Sequence, residues 1–98
     1  MEILSTLKQH GYDNPVASKY LEEATNLPGP AIRSAIRELR NSGEPIGSDD
    51  RGYYYCHSRE ELQRTIDHLR SRVESLSVTY HSLAKIFPQT IPLFPEGA

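Results

Sequence analysis

The chain has 98 residues, of which 37% are hydrophobic, and a net charge of −2. That leaves room for one small domain with an appendage and only a limited core, so pairing with another chain would help stability. No apolar run approaches membrane-spanning length, and the single Cys56 excludes an internal disulfide framework.

A reducing, cytoplasmic setting is expected, because the opening MEILSTLKQHGYD has neither a long apolar run nor a small-residue cleavage site. The mild negative charge counts against a generally basic nucleic-acid binder. Its distribution is uneven, however. Arg33, Arg37 and Arg40 cluster on one segment, while acidic pairs stand apart at Glu22-Glu23, Asp49-Asp50 and Glu60-Glu61. Local potential matters more to a DNA contact than the total does.

In chain order, residues 2–10 predict a first helix with Ile3, Leu4 and Leu7 on one face and Gly11 as its stop. Asp13-Asn14-Pro15 predicts a turn and a second helix start, with Asn14 as cap and Pro15 at the first helical position. That helix is expected to reach about Ala24 and to bury Val16, Tyr20 or Leu21, and Ala24. Leu27, in the turn that follows, is expected to point inward. Gly29-Pro30 restarts a helix over residues 30–42, with Ile32, Ala35, Ile36 and Leu39 facing the core. Arg33, Arg37 and Arg40 recur on another side, and Gly43 ends the helix. Two short strands follow, around 45–48 and 53–56, joined by the polar turn Ser48-Asp49-Asp50-Arg51-Gly52.

Ser58-Arg59-Glu60-Glu61 is a capping box that opens a long helix, uninterrupted until Pro88. Leu62, Leu69, Leu76 and Leu83 fall every seventh residue, with Ile66, Val73, Tyr80 and Phe87 between them at the alternating four-three spacing. This is an a/d seam with leucine at every d position. Leucine at d with Ile66 and Val73 at a favours two parallel strands in the first half. Tyr80 and Phe87 are bulkier. The flanking Gln63, Arg70, Ser77 and Ala84 on one side, and Thr65, Arg72, Thr79 and Ile86 on the other, supply no opposite-charge pair, so strand orientation stays open. The competing arrangement packs this helix onto its own N-terminal domain, but about 57 residues cannot cover about 45 Å of stripe.

The order helix, helix, tight turn, amphipathic helix, hairpin fits a winged helix-turn-helix. The stretch Ile32 to Ile46, followed by Ser48-Asp49-Asp50-Arg51-Gly52-Tyr53-Tyr54-Tyr55, resembles the recognition helix and wing of biotin-repressor-like and DeoR-like bacterial regulators, and of small phage regulators of that build. The resemblance covers about residues 2–57. It implies double-stranded DNA as partner, with Arg33, Ser34 and Arg37 facing the major groove and Arg51 on the wing. The chain departs from the pattern at Pro28-Gly29-Pro30, where the family carries Ser or Thr. On the residues alone, Arg33, Arg37 and Arg40 can bond guanine or phosphate, and Lys19 and Lys8 can add backbone contacts. The same arginines also suit an ordinary solvated face, partly neutralised by Glu38.

The tail Gln89-Thr90-Ile91-Pro92-Leu93-Phe94 resembles the bacterial sliding-clamp-binding peptide, matching at Gln89, Ile91, Leu93 and Phe94. That implies a groove on the DNA-polymerase clamp as a further partner. The alternative is that Ile91, Leu93 and Phe94 fold back and extend the dimer interface.

Catalysis is not expected. Cys56 and His57 are neighbours at a strand end and point to opposite faces, no phosphate-cradling glycine loop occurs, and neither a metal site nor a cofactor site is indicated. The expected organisation is a mainly α fold with a small β-hairpin: a winged helix-turn-helix domain over 1–57, a coiled-coil dimerisation helix over 58–87 and an extended tail over 88–98. Three roles are compatible with it. One is a homodimeric DNA-binding regulator reading a two-fold site. Another is a replication accessory or host-takeover protein that grips the clamp. The last is a dimeric interaction module that touches no nucleic acid.

Overall fold

The computed structural model describes residues 2–86. The order is α1 (Ile3–Lys8), α2 (Ser18–Thr25), α3 (Gly29–Asn41), β1 (Ile46–Asp49), β2 (Gly52–Tyr55) and α4 (Arg59–Ala84). The chain is therefore mainly helical, with a two-stranded antiparallel hairpin and a long final helix, as the patterning predicts. It divides into two compact units, Met1–Ile66 and Asp67–Ala98. The first unit extends past residue 57 and takes in the opening turns of α4. Phe87 and the tail positions Gln89, Ile91, Leu93 and Phe94 lie outside the described residues.

The core of the first unit is Leu7, Val16, Leu21, Ile32, Ile36 and Ile46, with Ile3, Leu39 and Tyr53 packed around it. The helical period explains α3, where Ile32 and Ile36 fall on one side four residues apart and are buried. Its start is set one residue earlier than expected. Pro28 is the cap, with Gly29 and Pro30 as the first helical residues, and the cap makes no side-chain hydrogen bond. Between the alternatives in α2, Leu21 is buried and Tyr20 is exposed, as are Ala24 and Leu27. Leu27 follows Asn26, whose left-handed φ of 61° turns the chain outward at the helix end.

The second helix does not begin at Pro15. Val16 stays extended and forms an antiparallel bridge with Tyr53, donating its N–H to the Tyr53 oxygen at 2.8 Å and accepting the Tyr53 N–H at 2.9 Å. Asn14 works backwards, its Oδ1 accepting the Gly11 N–H at 2.9 Å. A β-branched side chain that is buried, with both backbone groups paired, outweighs one capping bond.

The hairpin register pairs Ile46 with Tyr55, Gly47 with Tyr54, Ser48 with Tyr53 and Asp49 with Gly52. Two of these positions demand glycine. Gly52 has φ of 144°, and a Cβ there would meet the Val16 carbonyl oxygen at 2.3 Å. A Cβ on Gly47 would strike the Tyr54 ring at 2.4 Å. Both outer edges of the hairpin are occupied. On β2, beyond the Val16 bridge, the Tyr55 N–H reaches the His10 oxygen at 2.8 Å. On β1, Arg40 Nε donates to the Ile46 oxygen at 2.9 Å, and the Ser48 N–H donates to Thr65 Oγ1 at 3.1 Å.

Thr65 is 4% exposed, the buried polar residue of α4 among those described. Its bond crosses from α4 to β1 within the first unit. Thr65→Val keeps the shape but strands the Ser48 N–H, so an unfolding free energy lower by about 1–2 kcal/mol is expected, while Thr65→Ser should recover most of it. Urea titrations of the three chains check this.

Ser58 caps α4, its Oγ accepting the Glu61 N–H at 3.2 Å. The reciprocal half of the capping box reaches one residue further back, with the Glu61 carboxylate accepting the His57 N–H at 2.9 Å. In the second unit the residues of α4 are exposed. Leu69 is 40% accessible, and Val73, Leu76, Tyr80 and Leu83 are each at least 60% accessible. Within the first unit, Leu62 is half-buried and Ile66 is 39% accessible.

Candidate nucleic-acid interface

The placement of α3 follows from its inner face. Because Ile32 and Ile36 are committed to the core, Arg33 and Arg37 must stand outward, and both are exposed. Ser34 is half-buried beside them, and its Oγ accepts a bond from Arg37 Nη2 at 3.3 Å. The start of the helix brings Arg33 near an acid: a Cβ built on Gly29 would lie 3.4 Å from Arg33 Nη1 and 3.7 Å from the Glu22 carboxylate. The Ala31 and Ile32 N–H groups both turn back to the Pro28 oxygen, at 3.0 and 3.1 Å. Pro30 has no N–H, so of these first residues Gly29 alone has an N–H that is not directed at Pro28. Lys19 is exposed on the first turn of α2.

Arg40 is placed differently from Arg33 and Arg37. It is half-buried, with Nε on the Ile46 oxygen and Nη2 on Ser48 Oγ at 3.1 Å. Its guanidinium clamps α3 to β1 and is not displayed with the other two arginines. Helical spacing put all three on one side, and the difference arises because the hairpin folds over the end of α3 and offers acceptors there. Arg40→Met should therefore lower the melting temperature by several degrees, corresponding to about 1–2 kcal/mol. Arg33→Ala and Arg37→Ala, on the open surface, should leave it within about a degree. Thermal denaturation followed by circular dichroism separates the two classes.

The hairpin tip is ordered by its own charges. Arg51 donates from Nη2 to Asp49 Oδ2 at 2.6 Å and from Nε to both carboxylate oxygens at 3.2 Å. These bonds hold the Asp49 carboxyl below the usual carboxylate range. Arg51 also lies over the ring of Tyr12, with Cζ 4.7 Å from the centroid. Arg64, from the opening turns of α4, lies over the same ring at 4.8 Å. Tyr12 in turn meets the buried Tyr54 edge-on, at 5.4 Å between centroids. Nothing in the local sequence marked Tyr12 or Arg64, since they are distant along the chain and meet only in the fold.

Lys8 is drawn to the Tyr55 ring, 5.8 Å from its centroid, and Tyr55 donates its hydroxyl to Glu44 at 3.0 Å. Cys56 is buried, and burial, reinforced by the Glu61 carboxylate, pushes its thiol up. No group of three or more candidate metal ligands exists among the described residues, and no helix among them is long and apolar enough to cross a membrane.

No family model, curated protein or solved structure matches the chain.

Proposed function

We propose that the first unit is a winged helix-turn-helix that binds double-stranded DNA, and that α4 joins two copies so that they engage a two-fold site. One observation carries the DNA reading: α3 commits one face to the core and displays Arg33 and Arg37 on another, next to a braced hairpin with Arg51 at its tip. A guanidinium on an exposed helical face can bond guanine O6 and N7, or a phosphate. The exposed seam from Leu69 to Leu83 supports the pairing. Contiguous apolar side chains at heptad spacing lose water most economically against an identical helix. A closed two-fold pair of such chains would match a palindromic sequence. The net charge of −2 is compatible with this role because only the local field at the exposed face of α3 has to be positive.

The test is selection of bound duplexes from a random pool, followed by affinity measurements across salt concentration. A recovered sequence with inverted half-sites, bound with a steep salt slope, is the expected result. A full-length chain that retains no duplex at low salt would reduce the reading to a dimeric interaction module.

A further inference from the structure

We infer that Tyr12, Arg51 and Arg64 form a second phosphate-binding contact, separate from α3, that grips the phosphodiester backbone of a duplex. The inference rests on the DNA-binding reading above, and adds to it Tyr12 and Arg64, which neither the heptad pattern nor the winged-helix resemblance assigns; Arg51 is already placed on the wing by that resemblance.

Two guanidiniums from distant parts of the chain converge on one aromatic ring, at 4.7 and 4.8 Å. Each long side chain would otherwise sample many rotamers, and stacking on a shared ring removes much of that freedom before any ligand arrives. The ring itself is fixed, because Tyr12 rests edge-on against Tyr54, which is 1% exposed. The result is two preordered guanidiniums on a rigid base, Arg64 held by stacking and Arg51 held by stacking and by Asp49 along its Nε–Nη2 edge. Donors remain to be used. Asp49 engages Arg51 through Nε and Nη2, leaving Nη1. Arg64 has no hydrogen bond or ion pair among the described residues beyond its place over Tyr12.

Asp49 and Asp50 stand in the same turn, so two positive charges are offset by two negative ones. A small free anion therefore gains little here. If a duplex held by α3 runs past the hairpin tip, it presents a phosphate to these guanidiniums at high effective concentration. The site is thus an auxiliary grip whose contribution is sequence-independent.

The test uses the full-length chain and a selected duplex alongside an unrelated one. Arg64→Gln should weaken binding to both by about five- to tenfold, and lower the salt slope by about 0.9 for each head bound. Tyr12→Leu, which removes the stacking surface, should do the same, whereas Tyr12→Phe should behave as wild type. Arg64→Lys, which retains the charge, should recover most of the slope. If Arg64→Gln and Tyr12→Leu leave the slope unchanged while Arg33→Ala abolishes binding, the cluster merely braces the hairpin and this inference is overturned alone. If the wild-type chain binds no duplex at low salt, the DNA reading and this inference fall together.

Discussion

Placing glutamate at Leu69 and Leu76 together is expected to leave the protein as single chains at micromolar concentration. Both leucines sit at d positions, 40% and 66% accessible in the isolated chain. Truncating a buried leucine costs about 2–5 kcal/mol, and a symmetric pair loses four at once. Even at the lower figure the four together come to about 8 kcal/mol, several times the roughly 1.4 kcal/mol that corresponds to a tenfold weakening. Burying carboxylates in their place adds a desolvation penalty. Val78 provides the control, because it is 67% accessible, as open as Leu76, yet falls on the far side of the heptad. Val78→Glu should leave the mass unchanged. Light scattering reads both results. A wild-type mass of one chain, or a Val78→Glu chain that dissociates as readily as the double variant, would show that the heptad does not direct pairing. Separated heads would also bind a two-fold site about 10²- to 10⁴-fold more weakly, since the second contact is no longer intramolecular.

The double substitution Arg33→Ala, Arg37→Ala should remove specific DNA binding without unfolding the chain. Each base or phosphate contact is worth about 1–3 kcal/mol, and two arginines on two heads make four such contacts. The combined loss is at least about 4 kcal/mol, or roughly a thousandfold in affinity. The single variants distinguish the two roles. An arginine that reads a base should, when removed, relax the preference at one position in each half-site. One that holds phosphate should weaken all duplexes alike and reduce the salt slope. Arg40→Met is the internal control, because its guanidinium is bonded to Ile46 and Ser48. Filter binding of the selected duplex across salt supplies the numbers, and a double variant that binds as wild type would exclude α3 as the reading element.

The elements set by local chemistry were legible in the sequence. Helix α3 could be placed because two prolines flank Gly29 at its start, its apolar residues recur at helical spacing, and Gly43 ends it with φ of 104°. The hairpin turn could be placed because Gly52, at the end of a polar run, takes positive φ without steric cost. Features decided by distant partners were hidden. Asn14-Pro15 reads as a helix start until Tyr53, far along the chain, draws Val16 into a bridge. Thr65 looks like a polar flank of the seam, yet it is buried because β1 needs an acceptor for the Ser48 N–H. Arg40 has the same spacing as its exposed neighbours and differs only because the hairpin meets it. Tyr12 carries no local signal, because the two arginines over its ring come from the hairpin and from α4.

The side chains of Arg40 and Thr65 have one more effect. They occupy outward-facing backbone groups of β1, just as Val16 and His10 occupy those of β2. A bare strand margin recruits strands from other molecules and seeds fibrous aggregates. Here neither margin is vacant, so this small sheet is quarantined from growth by addition of further strands.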